Sequence, residues 1–242
     1  MIKFIIEWLG TTKVLTIPRR YVGRILDYYY VHNGKVIYQL TGSLTPEEIN
    51  GLDLIRQIKK ETEMLLADQE AYLIYQTVKK TEKIEGDIAE VGIYKGASAK
   101  LIRGATKKHL YLFDTFEGLP SLCAKDDPKR FQKGNYSAVF EDVKNYLKDC
   151  RNIHFYRGRF PLTADPIKDK QFSFVHLDVD IYESTLNCLK FFYPRMSRGG
   201  VIISHDYHGS DGVKAAFDEF FDEKPEIIIE VYSTDQCVIV KV

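Results

Sequence analysis

The apolar positions follow two different periods along the chain, and the change between them divides the sequence. From Thr45 to about residue 83, apolar residues recur every three or four positions, which predicts amphipathic helices. The first helix should begin at Thr45-Pro46-Glu47-Glu48, a capping box with proline at the first helical position. From Gly86 onward, short apolar runs alternate with helical segments. This alternation is typical of a mainly parallel sheet covered by helices on both faces.

Seven apolar runs are the predicted strands of that sheet. They lie at 87–93, 109–113, 153–156, 172–178, 200–204, 226–231 and 236–241, with a helix near 97–106 after the first. The last two runs are separated by only Tyr232 to Asp235, which is too short for a crossover helix. We therefore expect an α/β fold with a seven-stranded, mainly parallel sheet that ends in an antiparallel C-terminal hairpin.

The chain is predicted to have two parts. Residues 1–83 form an N-terminal extension with a β-like start followed by cap or interface helices, and residues 84–242 form the main domain. The β-like pieces include 35–40, which follows an Asn33-Gly34 turn signal. The tyrosines Tyr28 to Tyr30 would suit stacking on a ligand, or burial against a second subunit in a homo-oligomer.

The composition and net charge exclude some classes of protein and of binding partner. Among the 242 residues, Lys plus Arg and Asp plus Glu both number 34, so the net charge is zero. This argues against nucleic-acid or membrane partners that are bound through excess positive charge. The four cysteines are scattered without metal-like spacing, and the apolar start of the chain is too short and too charged for a signal peptide or a membrane span. We therefore expect a cytoplasmic protein.

The first predicted strand ends in a glycine loop that leads into a helix. The segment reads Glu90-Val-Gly92-Ile-Tyr94-Lys-Gly96-Ala-Ser98. Glycines let the backbone approach a ligand closely, and free N–H groups at a helix start can bind a carboxylate or a phosphate. The pattern is neither G-x-G-x-x-G nor a phosphate loop, and a tight strand-to-helix turn without a ligand would produce the same residues.

The next two strands end in residues that suit a nucleoside. Asp114, with Thr115 and Phe116 after it, lies about twenty positions beyond the glycine loop, the spacing of a carboxylate that binds ribose hydroxyls. Phe116 could lie against a purine ring; the alternative is a loop carboxylate beside a core aromatic. Arg157-Gly158 ends the third strand, where a small turn could flank an adenine, although Arg157 could also be a surface charge.

The fourth and fifth strands end in potential metal ligands. Asp178 and Asp180 follow an otherwise apolar run, where a carboxylate is costly unless it is paired or bound to a metal. The fifth strand ends in His205-Asp206, with His208 close behind. Because these two strands should be neighbours, Asp178, His205 and Asp206 could converge on one divalent cation. Oxygen ligands favour Mg²⁺ or Ca²⁺, whereas an imidazole favours a transition metal.

Four segments in the same order resemble the macrocin O-methyltransferases, from about residue 60 to the C-terminus. They begin at Gly86 (GDIAEVGIYKG), Leu112 (LFDTFEGLP), His176 (HLDVDIYEST) and Phe192 (FYPRMSRGGVII). The resemblance implies a Rossmann-like class I methyltransferase fold and an S-adenosylmethionine-dependent, metal-assisted enzyme. Its acceptor would be a hydroxyl of a sugar or a glycosylated small molecule.

The resemblance also implies roles for individual residues. Glu90, Gly92 and Gly96 would hold the methionine half of the cofactor, Asp114 its ribose, and Asp178 a metal beside the methyl group. The remaining cofactor residues would be Tyr94, Ser98, Thr115, Phe116, Arg157 and Gly158. The family usually ends its fifth strand in Asp-Asp-Tyr, with both aspartates on the metal, whereas this chain has His205-Asp206-Tyr207. We expect Mg²⁺ first, and Mn²⁺ or another transition metal because of His205.

The predicted reaction needs a base for the acceptor hydroxyl. Asp178 or Asp180 could take the proton, and His208 is a third candidate that could equally be an ordinary loop histidine. His176, which points to the other side of its strand from Leu177, should be packed or lie behind the site. Two alternatives stay open: a catalytically degenerate relative that still binds S-adenosylmethionine, and a nucleotide-sugar or dinucleotide enzyme on a similar sheet.

Overall fold

The structure is a computed structural model that describes residues 2–8, 11–17, 46–232 and 234–242. The chain divides into two compact units, Met1–Asn50 and Gly51–Val242. In the first unit, β1 (Ile2–Trp8) and β2 (Thr11–Ile17) form an antiparallel hairpin. The predicted piece at 35–40 and its turn, the three tyrosines at 28–30 and the capping residue at 45 lie outside the described residues.

Helices and strands alternate through the rest of the chain, as the sequence predicts. The elements are α1 (Pro46–Glu61), α2 (Asp68–Lys80), β3 (Asp87–Val91), α3 (Ala97–Ala105), β4 (Leu110–Asp114), α4 (Phe140–Tyr146), β5 (Ile153–Arg157), β6 (Phe172–Leu177), α5 (Tyr182–Phe192), β7 (Met196–Ser204), α6 (Asp211–Phe221), β8 (Ile229–Glu230) and β9 (Cys237–Val240). The helical spacing that the sequence shows up to residue 83 is interrupted between α1 and α2. The Glu70 carboxylate accepts a hydrogen bond from the Ala67 N–H at 2.8 Å and thereby caps the N-terminus of α2.

Within the described residues, seven strands form one sheet in the order β5-β4-β3-β6-β7-β9-β8. The strands from β3 to β7 pair in parallel, and β9 pairs antiparallel with both β7 and β8. This confirms the predicted sheet and its terminal hairpin. The predicted run at 226–231 contributes only the two-residue strand β8 (Ile229–Glu230).

Alternate side chains of each strand point to opposite faces of the sheet, and each face is covered. One face packs with α1, α2 and α3 in a cluster that includes Ile58, Ile74, Ile88, Leu101, Leu112 and Phe174. The other packs with α5 and α6 in a cluster that includes Val175, Leu177, Leu189, Ile202 and Phe217. Every residue of β6 is buried, which explains its uninterrupted apolar run. Among the described residues, no helix has both the length and the hydrophobicity that crossing a membrane requires.

The ends of the parallel strands are aligned at one edge of the sheet. The Asp178 N–H donates to the Val91 carbonyl, and the His205 N–H donates to the Leu177 carbonyl, each at 2.9 Å. The order of the strands reverses between β3 and β6, because β4 follows β3 on one side and β6 lies on the other. Ligands of open α/β sheets bind outside the carboxyl ends of the strands at such a reversal.

Candidate active site

A cavity of about 710 Å³ opens at this edge of the sheet. Its volume is in the range of sites that hold small organic ligands. Residues that follow β3, β4, β6 and β7 line it, together with parts of the α1–α2 connection and of the loop between β4 and α4. The lining includes ten residues that the sequence predicts for the site: Gly92, Tyr94, Ser98, Asp114, Thr115, Gly158, Asp178, Asp180, His205 and Asp206.

Gly92 brings the glycine loop against the end of β6. A Cβ atom at this position would lie 1.8 Å from the carbonyl oxygen of Asp178, and the backbone φ of Gly92 is +84°. A side chain would therefore meet both a clash and an unfavourable backbone conformation. Because the two strand ends touch here, the predicted cofactor loop and the predicted acidic cluster face the same cavity.

Asp114 holds the glycine loop from the neighbouring strand. Its Oδ2 atom accepts hydrogen bonds from the N–H groups of Ile93 at 2.8 Å and Tyr94 at 2.9 Å, and its Oδ1 atom accepts one from Phe116 at 2.7 Å. Burial raises the pKa of Asp114, although the three backbone hydrogen bonds oppose that rise. The Oδ1 atom, which accepts one hydrogen bond, keeps a second lone pair with which Asp114 could accept a hydrogen bond from a ribose hydroxyl in the cavity.

Four predicted cofactor residues do not line the cavity: Glu90, Gly96, Phe116 and Arg157. Phe116 is buried, and its ring centroid lies 4.8 Å from that of Phe140, so it has the position of the core aromatic that the sequence left as an alternative. Arg157 is exposed. Contacts of these four residues with a cofactor therefore stay predictions.

Glu90 is fully buried beside His176, at paired positions of β3 and β6. The His176 Nδ1 atom lies 2.9 Å from the Glu90 Oε1 atom. Burial raises the pKa of Glu90, and the hydrogen bond with His176 opposes that rise. His176 is thus packed behind the site, as predicted, and Glu90 links the two strands on which the cavity rests.

The structure brings Asp178, His205 and Asp206 together. One ligand atom from each lies within 4.8 Å of the others, which makes them the group, among the described residues, that could hold a metal ion. The His205 Nδ1 atom is 2.8 Å from Asp206 Oδ2 and 3.5 Å from Asp178 Oδ1. The convergence follows from the adjacency of β6 and β7, which the sequence predicts.

The charged side chains of this cluster shift one another's pKa values. Burial alone would lower the pKa of His205, but the carboxylates of Asp178, Asp206 and Glu70 raise it above its ordinary value. Burial alone would raise the pKa of Asp178, but the His205 imidazole holds it below its ordinary value. The anionic side chains thus favour a positive charge at their centre, which a proton or a metal ion would supply.

Glu70, at the start of α2, is a further carboxylate beside this cluster, and no sequence motif indicates it. Its Oε2 atom lies 3.4 Å from the His205 Nε2 atom, and its side chain is nearly buried. In the sequence, Glu70 looks only like a helix-capping acid at the third position of a helix. Its contact with a residue 135 positions away exists only in the folded chain.

Arg130 is a second residue beside the cluster that no sequence motif indicates. It comes from the loop between β4 and α4, and its Nη2 atom lies 2.9 Å from Asp206 Oδ1. Asp206 therefore has one oxygen on Arg130 and the other facing His205. An isolated arginine in a polar loop carries no signal that would identify this contact.

Two of the three predicted bases line the cavity, and the third does not. Asp178 and Asp180 line the cavity, whereas His208 does not, and its Nε2 atom lies 3.7 Å from Glu230 Oε2. Asp180 has a φ of +62°, and the Ser210 hydroxyl donates a hydrogen bond to its carbonyl at 2.8 Å. Burial, together with the charges of Asp178 and Asp206, raises the pKa of Asp180 well above its ordinary value.

The donor set fits a divalent cation. Two carboxylates and an imidazole from adjacent strand ends supply three donors on one side, and the cavity leaves the other side open to a ligand. Metal binding is therefore chemically compatible with this cluster.

Comparison with known proteins gives a family and two related enzymes. The protein-family model described as Macrocin-O-methyltransferase (TylF) matches residues 70–240. The demethyldecarbamoylnovobiocin O-methyltransferase of Streptomyces niveus is 29% identical over 164 residues, which cover 60% of this chain and 63% of that protein. The 8-demethyl-8-(2,3-dimethoxy-alpha-L-rhamnosyl)-tetracenomycin-C 4'-O-methyltransferase of Streptomyces olivaceus is 30% identical over 140 residues, which cover 51% and 54%. Each match spans less than two thirds of the relative's length.

Solved structures share the architecture. The O-methyltransferase NovP superposes with a TM-score of 0.65 at 20% identity, covering 91% of this chain and 99% of that one. The calicheamicin methyltransferase CalS11 has a TM-score of 0.57 at 16% identity, with coverage of 82% and 94%. At these identities the likeness establishes the fold, which is that of class I methyltransferases with an antiparallel C-terminal strand pair.

Proposed function

Because this chain belongs to the macrocin O-methyltransferase family, we propose that it methylates a hydroxyl of a sugar or a glycosylated small molecule with S-adenosylmethionine. One observation carries the proposal: the glycine loop after β3 and the acidic cluster after β6 and β7 face one cavity at the reversal of the strand order. The names of the two related enzymes support the acceptor class: one is an O-methyltransferase of demethyldecarbamoylnovobiocin, and the other is a 4'-O-methyltransferase of a rhamnosyl-tetracenomycin.

The cofactor would lie along the glycine loop. Gly92 would leave the backbone of this loop open to the methionine end, and Asp114 would face the ribose. Tyr94, Ser98, Thr115 and Gly158 line the same cavity. S-adenosylmethionine supplies, when bound, a methyl group on a positively charged sulfur, so the task of the protein is to orient the acceptor and to manage one proton.

The acceptor would lie between the acidic cluster and the loop between β4 and α4. Asp178, His205 and Asp206 would hold a divalent cation, which would orient neighbouring sugar hydroxyls and lower the pKa of the reacting one. The acceptor oxygen bonds to the methyl carbon as the sulfur–carbon bond breaks, and the hydroxyl proton passes to a carboxylate. We assign that role to Asp180, since it lines the cavity and is not one of the three metal donors.

Other properties of the protein are proposed on narrower grounds. All four cysteines are free thiols, which supports a reducing, cytoplasmic environment. Assembly into a homo-oligomer stays a prediction, based on the tyrosines near the start of the chain. The division into an N-terminal extension (1–83) and a methyltransferase domain (84–242) stays a prediction, and residues 63–67 of that extension line the cavity.

The decisive experiment combines cofactor binding with methyl transfer. Calorimetry should detect binding of S-adenosylmethionine, and radiolabelled methyl transfer to a panel of glycosides should identify an acceptor. Asp178→Asn should then lower methyl transfer by about 10³-fold, equivalent to about 4 kcal/mol of transition-state stabilisation, while cofactor binding persists. The loss is expected because Asp178 is a proposed metal donor whose backbone lies against the glycine loop at Gly92.

The matched control is Asp169→Asn, which removes an exposed carboxylate just before β6 begins. That substitution should leave both measurements unchanged, because Asp169 precedes the strand whose other end bears the site. Full methyl transfer by Asp178→Asn would remove the assignment of Asp178, and absence of cofactor binding in the wild type would remove the proposed activity.

A further inference from the structure

One aromatic side chain in the loop between β4 and α4, that of Tyr136, lines the cavity beside the glycine loop and the acidic cluster. We infer that Tyr136 is a specificity-determining residue for the acceptor: a pyranose lies on its ring, and the ring thereby fixes which sugar hydroxyl is methylated. The inference rests on the proposed function, because it concerns the acceptor of that function. It adds the residue that recognises the sugar and the face by which the sugar is bound.

The backbone of Tyr136 is held in a conformation that its residue type rarely adopts. Its φ is +60°, in the left-handed region that favours glycine. The loop is fixed just before it, because the Leu119 N–H donates to the Asn135 carbonyl and the Gly134 N–H donates to the Leu119 carbonyl, each at 2.9 Å. Non-glycine residues held in this way cluster at ligand sites, where the surrounding structure maintains the position of a required side chain.

The ring of Tyr136 has a face that is available to a ligand. Its centroid lies 6.2 Å from that of Tyr94, with 83° between the two ring planes. Such an edge-to-face contact covers at most one face of either ring. Tyr136 is also 40% exposed while it lines the cavity. A flat apolar surface is therefore open beside the predicted cofactor loop.

The hydroxyl group of Tyr136 lies within the electrostatic influence of the acidic cluster. Burial raises the pKa of Tyr136, and the charges of Asp180 and Asp206 raise it further. The charge of Arg130 opposes that rise. The phenol is therefore neutral at pH 7, and it can both donate and accept a hydrogen bond with a sugar hydroxyl.

A pyranose has the chemistry that this arrangement would recognise. Its C–H groups carry a small positive charge and pack on the negative face of an aromatic ring, while its hydroxyls project at the rim. With its apolar face on Tyr136, the sugar would turn hydroxyls toward Asp178 and Asp180. Because methyl transfer requires the oxygen to be accurately placed, the ring that orients the sugar also selects the hydroxyl that reacts.

Substitutions at Tyr136 in the full-length protein test the inference, with methyl α-L-rhamnopyranoside as the acceptor probe. Saturation-transfer difference NMR should show contact between the wild type and the C–H protons of one face of the sugar. S-adenosylhomocysteine, which has no methyl group to transfer, would fill the cofactor site in that measurement. With S-adenosylmethionine in its place, the wild type should give a single methylated isomer.

The alanine and phenylalanine variants should differ in both kinetics and product. Tyr136→Ala should raise the KM for the probe about tenfold and give a mixture of positional isomers, because the sugar loses the surface that orients it. Tyr136→Phe keeps the ring, so it should change the KM by less than about threefold and still give one isomer. A merely structural role of Tyr136 would not change the identity of the product.

Tyr136→Gly separates the role of the ring from the folding of the loop. Glycine adopts the left-handed conformation without strain, so this variant should fold at least as well as Tyr136→Ala and show the same change in KM and product. The matched control is Tyr232→Ala, which removes an 85% exposed tyrosine that does not line the cavity. It should leave the KM and the product unchanged.

Three results would overturn the inference: wild-type KM and a single isomer in Tyr136→Ala, a normal KM in Tyr136→Gly but not in Tyr136→Ala, or no contact of the probe with wild-type protein that binds S-adenosylmethionine. Calorimetry on the same samples measures that cofactor binding. Its absence from the wild type is the separate outcome that removes the proposed function, and the inference with it.

Discussion

At the scale of single residues, two backbone segments of the site are in direct contact. The loop after β3 and the end of β6 touch at Gly92, where a Cβ atom would overlap the carbonyl oxygen of Asp178. The same φ region also occurs at Gly134, whose φ is +87° but which has no atom within 4 Å of the Cβ position. Substituting each glycine by alanine therefore distinguishes the destabilisation caused by a clash, at Gly92, from that caused by the backbone conformation alone, at Gly134.

Gly92→Ala should lower the free energy of unfolding by more than about 4 kcal/mol, because neither backbone can yield without breaking strand-end hydrogen bonds. Gly134→Ala should cost about 1 kcal/mol, the penalty of a left-handed conformation alone. Urea unfolding of both variants measures the difference. Equal losses of stability would contradict the close contact between the glycine loop and Asp178.

Residue types at strand ends predict the cluster of Asp178, His205 and Asp206 better than they predict which residues line the cavity. Asp178, His205 and Asp206 meet as predicted, because parallel neighbouring strands end at the same edge. Phe116 and Arg157 do not line the cavity, because the side-chain directions after a strand depend on loop conformation. Phe116 itself has a φ of 59°, which no sequence pattern signals.

At the scale of elements, the C-terminal strand is anchored by a buried carboxylate. The Glu226 side chain has no exposed surface, and it lies 2.7 Å from both the Lys241 Nζ atom and the Tyr193 hydroxyl oxygen. Burial alone would raise the pKa of Glu226, but hydrogen bonds from Lys241 and Tyr193 hold it below its ordinary value. A carboxylate with a lowered pKa stabilises the fold above its ordinary pKa of about 4.3, and this contribution is lost as the pH falls.

Glu226→Gln should therefore lower the free energy of unfolding by about 2 kcal/mol at pH 7, because it removes a charge-assisted hydrogen bond from a buried site. The difference from wild type should shrink as the pH falls below the ordinary range of a glutamate, because the lowered pKa of Glu226 delays its protonation to more acidic pH. Urea unfolding at several pH values measures this. Glu223→Gln, at an exposed position nearby, is the control for removal of charge. A difference that is the same at pH 7 and pH 3.5 would contradict the role of the ion pair.

At the scale of the whole molecule, helices that the sequence assigns to an extension form part of the core under the cavity. Ile55, Ile58, Ile74, Tyr75 and Val78 are buried in the cluster that covers one face of the sheet. Residues 63–67, which connect α1 and α2, also line the cavity. These contacts favour a structural boundary nearer residue 50, where the compact units divide, than the predicted residue 84.

Two truncated chains test this boundary. A chain of residues 46–242 should unfold cooperatively and bind S-adenosylmethionine. A chain of residues 84–242 should not, because it lacks five buried side chains worth together about 10 kcal/mol, which is comparable to the stability of a typical domain. Thermal unfolding followed by circular dichroism, with calorimetry for the cofactor, gives the comparison. Cooperative unfolding of the shorter chain would support the boundary at residue 84.

The sequence by itself determined the order of the elements, the parallel sheet with its antiparallel end, and the strand ends that carry the site. These follow from local information: the period of apolar positions, the length of connections and the residue types that close each strand. Only the tertiary structure decided that Glu70 and Arg130 reach His205 and Asp206, and that Phe116 is buried in the core. Such contacts join residues far apart in the chain, and they depend on how helices and loops pack over the sheet, which no local pattern encodes.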